Sequence, residues 1–531
     1  MIPRLRASRP LAVAAALSVA AVLAACSSKT LGTVTESTPA TTPSASASVP
    51  ASPGATPGST SGTDPALATY YGQHLAWSVC GGSFRCAYLT VPIDYAKPAG
   101  DTIKLAVLKL PASGDRVGSM VTDPGGPGSS GVDFARQARA LFSDALRSHY
   151  DVGGFDPRGV QRSSPVTCLS DKQWDDYFAA DGTPDDAAEE SQFVALDKTF
   201  VQGCVSRTNP EVLKHVSTVE TAKDLDILRA ALGDKKLTYF GFSYGTMLGA
   251  VYAEQFPTRV ARMVLDGAMD PSIGNVGLGH GQAKGMELAL TRFVEDCDKQ
   301  SDCPLPNGTQ AGLNKLQSFV EGLDAKPLPT GDAKRPLTQA LGLGAILTYM
   351  YFPAYGDWDT LRGGLQDAFD GDGSTLLQML DERNDRNDAG HYTSNLYSAY
   401  NAISALDYPD RPDEAQVKVL ADQWSKEAPI VGASSAWATL LYSYWPVAAT
   451  GRPHEIHAPG SPPILVVGTT YDPATPYPWA QALAKQLSKG VLLTRVGDGH
   501  TGYGKGSDCT DEAVDRYLVT GATPPAGTVC R

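Results

Sequence analysis

The sequence predicts an α/β protein with a mostly parallel central sheet, helices on both of its faces, and a large, mainly helical cap inserted between two strands. Three observations predict this. Up to about residue 268, short apolar runs alternate with stretches of helical periodicity. From 269 to 456 the alternation stops, and the chain carries helical patterns and aromatic residues without clear strands. From 457 onward strand and helix patterns return. Strands alternating with helices build a parallel sheet. A long excursion between two of its strands forms a layer over their ends.

The chain has 531 residues, long enough for a catalytic-sized core and such an insertion. Hydrophobic residues make up 42% and charged residues 19%, a balance that supports a packed interior. The formal net charge of −13 argues against a nucleic-acid partner.

The first 25 residues read as a secretory signal. Arg4, Arg6 and Arg9 precede a short apolar stretch at 11–22, followed by Leu23-Ala24-Ala25-Cys26. The run is too short and alanine-rich for a membrane span, which takes about 20 strongly apolar residues. The tetrad resembles a bacterial lipobox, which implies lipidation of Cys26 and attachment to the outer face of the cytoplasmic membrane through that lipid alone. Residues 26–65 are almost entirely Ser, Thr, Pro, Ala and Gly and read as a tether without a core. The expected organisation is therefore signal 1–25, tether 26–65, core 66–268, cap 269–456 and core 457–531.

Nine cysteines are present. With Cys26 set aside, Cys80, Cys86, Cys168, Cys204, Cys297, Cys303, Cys509 and Cys530 fall as four neighbouring couples. Pairing within each couple is the simplest arrangement, although composition alone leaves every other connectivity open. No Cys-x-x-Cys or His-Glu-x-x-His spacing appears, so the sequence calls for neither a metal nor an organic cofactor.

Within the first core segment, 103–110 alternates as a strand, and 117–122 forms a second strand ending in Asp123-Pro124-Gly125-Gly126-Pro127-Gly128. Residues 150–155 form a third. A polar excursion carrying Cys168 and Cys204 follows, then a helix at 218–232, a strand at 236–240, a helix at 244–256 and a strand at 259–265. Beyond the cap come a strand at 463–468, a helix at 476–487, a strand at 491–496 and a helix at 511–518.

Gly241-Phe242-Ser243-Tyr244-Gly245 lies between a predicted strand and a predicted helix, where a nucleophile elbow must lie. The glycines permit a turn too tight for side chains, and the helix N-terminus behind Ser243 favours developing negative charge. This is the signature of the α/β-hydrolase fold, which supplies its catalytic residues in the order Ser, acid, His. His500 follows the last predicted strand within Gly497-Asp498-Gly499-His500, and Asp472 follows the strand before it. Asp266, after the strand next to the elbow, competes for the acid role, whereas Asp498 is too close to His500 in sequence. Thr475 reads equally as a partner that fixes the Asp472 carboxylate and as a plain turn residue. The two oxyanion donors are expected to be the backbone N–H groups of Tyr244 and Gly126.

Pro124-Gly-Gly-Pro-Gly128, Gly241-Phe-Ser-Tyr-Gly-Thr246 and Gly468-Thr-Thr-Tyr-Asp472-Pro-Ala-Thr-Pro476 together resemble the secreted tripeptidyl aminopeptidases of actinobacteria, relatives of the prolyl aminopeptidases. The resemblance covers roughly 70–531. It implies a serine exopeptidase that releases short peptides, tripeptides above all, from free N-termini of extracellular peptides. The same family includes cell-envelope carboxylesterases. A binding lipoprotein without catalysis is the remaining alternative, and the intact Ser, Asp and His oppose it. One departure is Asp123, where the family pattern has Asn, a carboxylate that either meets substrate charge or faces solvent. An aminopeptidase also needs a carboxylate for the substrate amine, expected in the cap: Glu287 first, with Glu295 and Asp296 as alternatives, against the plainer reading of all three as solvated surface charges. Tyr349, Tyr351, Phe352, Tyr355, Trp437 and Trp445 are expected to line the pocket or fill the cap core.

Overall fold

The computed structural model describes residues 64–531. The signal segment, Cys26 and nearly all of the tether lie outside the described residues. Ten strands form one sheet: β1 (Ser78–Val79), β2 (Arg85–Pro92), β3 (Thr102–Leu110), β4 (Gly118–Asp123), β5 (Tyr150–Phe155), β6 (Leu237–Phe242), β7 (Val260–Asp266), β8 (Ile464–Tyr471), β9 (Gly490–Asp498) and β10 (Val529–Cys530). Their order across the sheet is β1-β2-β3-β5-β4-β6-β7-β8-β9-β10. The first three strands pair antiparallel, and every pairing from β5 through β10 is parallel.

Residues in β4, β5 and β6 are buried throughout, which is why they read as continuous apolar runs rather than alternations. Successive side chains still point to opposite faces. Tyr239, Leu265 and Val466 enter the core on one face, with helices Thr218–Ala231, Tyr244–Gln255 and Tyr477–Gln486. Phe240, Val264 and Leu465 enter the core on the other, with helices Asp144–His149 and Asp508–Thr520. Two cores on one sheet give the α/β-hydrolase architecture.

Fully buried Arg158 ties the antiparallel side of the sheet to its neighbours. Its guanidinium donates to both Asp224 oxygens at 2.7 Å, to the carbonyls of Ile93 and His215 at 2.8 Å and to the Pro92 carbonyl at 3.1 Å. Every donor pointing into the core thereby has an acceptor, the condition under which a buried charge is tolerated.

Between β7 and β8 the chain forms eight α-helices from Asn275 to Trp437, with an apolar core of their own around Leu290, Phe293, Leu361 and Leu365. The polar excursion after β5 proves to be part of the same layer. Its helices Asp171–Ala179 and Ala187–Arg207 are joined at the root by the Cys168–Cys204 disulfide. Phe178 packs 4.9 Å from Tyr397, Phe193 packs 5.4 Å from Trp437, and Arg386 spans to Asp175 at 2.8 and 3.1 Å. The layer over the sheet is thus built from two separate excursions.

The four disulfides join Cys80–Cys86, Cys168–Cys204, Cys297–Cys303 and Cys509–Cys530, each within its neighbouring couple. Among the described residues no helix is long and apolar enough to cross a membrane.

Asp197, on helix Ala187–Arg207, is buried with one oxygen accepting from Tyr177 Oη at 3.3 Å and the other without a partner. Burial pushes its carboxyl up to about 8. The folded protein therefore holds a proton that the unfolded chain releases near pH 4, and the stability gained is lost as pH rises toward 8. Thermal unfolding of Asp197→Asn is expected to fall less between pH 5 and pH 8 than that of the unsubstituted protein. Identical slopes would refute this account.

Candidate active site

The carboxyl ends of the parallel strands gather every sequence-predicted catalytic group except the cap carboxylates. Ser243 sits between β6 and helix Tyr244–Gln255 with φ 55° and ψ −125°, the strained backbone of an elbow. A methyl placed on Gly241 would lie 2.3 Å from the Gly245 carbonyl oxygen, so the elbow closes only with glycine there. The Ser243 N–H donates to the Asp266 carbonyl at 2.8 Å, and Thr246 closes the turn by donating to the Ser243 carbonyl from N and Oγ1.

Asp472 follows β8 and His500 follows β9. His500 Nδ1 lies 2.8 and 3.0 Å from the two Asp472 oxygens. A carboxylate there only accepts, so Nδ1 carries the proton and Nε2 is left to take one. The Asp472 carboxylate also accepts from the N–H groups of Ala474, Thr475 and Thr501 at 2.8–3.0 Å and from Thr475 Oγ1 at 3.0 Å. Thr475 therefore holds the carboxylate from two sides. A methyl on Gly267, next to the carbonyl that binds the Ser243 N–H, would lie 3.3 Å from His500 Cε1. The imidazole and the elbow thus meet at the end of β7.

Asp266 has a different task. Its carboxylate accepts from the N–H groups of Gly502 and Tyr503 at 2.7 and 2.8 Å, just beyond His500. Burial pushes its carboxyl up to about 6. Asp498 is engaged elsewhere, pairing with Arg292 of the cap at 2.7 and 3.0 Å.

The glycine loop after β4 lies against the elbow. Gly125, Gly126 and Gly128 have φ of 99°, 108° and 100°, and Gly126-Pro127 is cis. A methyl on Gly125 would lie 2.8 Å from the Tyr244 nitrogen and 2.9 Å from Ser243 Cβ. Gly125 is thus the residue in direct contact, with Gly126 the next one along. The Tyr244 hydroxyl meets that of Thr218, which donates in turn to half-buried Asp407 of the cap.

Asp123 corrects its sequence expectation. It does not face solvent: it is 1% exposed and lies under the elbow, accepting from the Gly125 N–H at 2.9 Å. Burial, and then Asp156 nearby, push its carboxyl up to about 7.

The cap carboxylates have partners of their own. Glu287 accepts from the Ile430 N–H at 3.1 Å, and burial raises its pKa. Glu295 pairs with Arg292 at 2.9 Å, and Asp296 lies 3.6 Å from Arg362. Of the six aromatics, Tyr351 reaches the site, with its carbonyl accepting from the His500 N–H at 2.7 Å and its ring edge-on to the imidazole at 5.5 Å. Phe352 and Tyr355 hold the Lys505 ammonium at 4.4 and 4.3 Å, Tyr349 lies under Arg383 at 4.6 Å, and Trp437 and Trp445 are buried in packing clusters. The Tyr351 carbonyl contact carried no sequence signal, because any residue supplies a carbonyl.

A serine on a strand-to-helix elbow, with an imidazole–carboxylate pair on the next strand loops of one parallel sheet, defines a serine hydrolase of the α/β-hydrolase fold. The comparisons narrow this class. Residues 428–530 match a family model described as TAP-like protein. The chain is 39% identical over 481 residues to the serine protease Hip1 of Mycobacterium tuberculosis, covering 86% of this chain and 91% of that one. It is 36% identical over 456 residues to carboxylesterase B of the same organism, covering 84% and 86%. It is 30% identical over 479 residues to the tripeptidyl aminopeptidase of Streptomyces coelicolor, covering 86% and 85%. The chain belongs to this tripeptidyl-aminopeptidase-like family of serine hydrolases.

Asp472→Asn presents an amide to Nδ1 and favours the wrong tautomer, so kcat is expected to fall by about 10⁴ with little change in KM. Asp266→Asn leaves the His500–Asp472 pair in place and should cost far less. Steady-state kinetics on one activated ester checks both, and a larger loss in Asp266→Asn than in Asp472→Asn would reverse the two assignments.

Proposed function

We propose that the protein is a serine exopeptidase that releases short peptides, tripeptides above all, from the free N-termini of extracellular peptides. The observation that carries this reading is the imidazole–carboxylate pair beside the elbow, with the helical layer seated against it where the Tyr351 carbonyl accepts the His500 N–H. The names of the relatives Hip1 and tripeptidyl aminopeptidase support it. His500, oriented by Asp472, takes the Ser243 proton as Oγ attacks the peptide carbonyl. The N–H groups of Gly126 and Tyr244 stabilise the oxyanion, and His500 then protonates the leaving amine. Water attacks the acyl-enzyme by the same path in reverse order of proton transfer. No step calls for a metal or organic cofactor. A second reading, an ester substrate for the same triad, is favoured by the 36% identity to carboxylesterase B.

Four disulfides suit an oxidising, extracytoplasmic compartment. We place the mature chain there, tethered to the membrane through a lipid on Cys26, with peptides as its partners and no nucleic acid.

Two measurements test these statements. The enzyme is expected to cleave a tripeptide anilide with a free N-terminus and to leave its N-acetylated twin intact, with Ser243→Ala as the blank. If both peptides are inert while an aryl ester turns over fast, the ester reading replaces the peptidase one. Mass spectrometry of the mature N-terminus in its native type of host should show diacylglycerol on Cys26; an unmodified terminus would sink the anchor.

A further inference from the structure

The peptidase reading requires a group that senses the substrate's free amine, and the carboxylates expected to do so hold other partners. Asp385 differs from them. It lies between helices Ser374–Arg383 and Leu396–Asp407 in a left-handed conformation, φ 55°. Its backbone is fixed by the Thr393 N–H and Oγ1, which donate to its carbonyl at 2.9 and 3.0 Å.

The Asp385 side chain borders a cavity walled by Trp174, Phe178, Tyr392 and Tyr397. Trp174 stacks on Phe178 at 5.1 Å, and Tyr397 meets Phe178 at 4.9 Å, so the wall is continuous π surface. The void is about 10 Å³, roughly the room one water-sized group occupies. An ammonium group has that size, and aromatic faces with one carboxylate attract it strongly.

The surrounding charges leave this carboxylate alone. Arg386 is committed to Asp175, Arg335 to Asp381, and Arg162 to Asp133. Asp385 has the Ser394 hydroxyl beside it and no cationic partner among the described residues. Burial first, and then the Asp133 charge, push its carboxyl up to about 6, a cost that an incoming cation would relieve.

The cavity also adjoins the oxyanion loop. Leu396 forms part of its lining, and a methyl on Gly126 would lie 3.2 Å from Leu396 Cδ1. Asp133 belongs to helix Gly131–Arg136, which follows that loop directly. Leu396 is thus the side chain that both borders the cavity and touches the loop beside Ser243.

We propose that this aromatic-walled cavity receives the substrate's α-ammonium, with Asp385 as its counter-charge, an assignment that rests on the peptidase reading above. The site would count residues as well as sense charge, because the distance from Ser243 to the cavity selects the length of peptide released. An acetylated N-terminus brings a bulkier, neutral group and would gain nothing from the carboxylate.

The test compares a tripeptide anilide with its des-amino twin, in which hydrogen replaces the α-amine, on the wild-type enzyme and on Asp385→Asn. Fluorophosphonate labelling of Ser243 reports that each protein is folded. The wild type is expected to prefer the amine-bearing substrate by about 10–100-fold in kcat/KM, the range of a charged hydrogen bond, chiefly through KM. In Asp385→Asn that preference should collapse toward unity. A variant that keeps the wild-type preference overturns the Asp385 assignment while leaving the peptidase reading standing. A wild type with no preference overturns both. If Asp385→Asn is not labelled, Phe178→Leu serves instead: removing one π face should weaken the preference, and an unchanged preference overturns the site.

Discussion

Asp266 holds two catalytic loops at once. Its carbonyl, at the end of β7, accepts the Ser243 N–H, while its carboxylate accepts the N–H groups of Gly502 and Tyr503 beyond His500. The next residue, Gly267, donates to the Val467 carbonyl and so joins the same corner to β8, which leads to Asp472. Serine, imidazole and carboxylate come from three separate strands, and a buried aspartate in the strand between them sets their spacing. Its carboxyl, pushed up to about 6 by burial, shows the desolvation cost accepted for that rigidity.

The cap is equally part of the machinery. Tyr351 and Pro353 lie against Gly499, where an added methyl would meet them at 2.9 and 2.7 Å. Arg292 grips Asp498 on the approach to His500. Across the site, Ala399 and Tyr400 press on Gly128, and Asp407 reaches Tyr244 through Thr218. Both the imidazole loop and the glycine loop after β4 are therefore seated against cap residues. Movement of the cap would be felt at the reacting atoms, not only at the entrance.

Much of this was legible in the sequence. The strands β4 to β6 are buried on both faces and read as continuous runs, and the strand-then-loop positions of Ser243, Asp472 and His500 follow from their order along the chain. The cysteine couples were legible because their members are sequence neighbours. β2 is harder to read although Ala87, Leu89 and Val91 alternate, since Arg85 and Cys86 open it and Pro92 closes it. Helix Ala187–Arg207 was hidden for a different reason: it packs on the cap by scattered contacts and carries no clean apolar stripe. Asp385 was invisible because Arg383-Asn-Asp-Arg-Asn387 reads as an ordinary polar turn. Its significance lies in the rings that two distant segments bring beside it.

The double origin of the covering layer also limits how it can be rearranged. Trp174 and Phe178 enter before the elbow in the chain, while Tyr392 and Tyr397 enter after it, yet the four rings form one surface. Exchanging residues 269–456 alone with a relative would strand half of that surface against foreign neighbours. Evolution of a new specificity must therefore alter two stretches of gene in concert, and a graft that respects only the longer insertion inherits a mismatched seam.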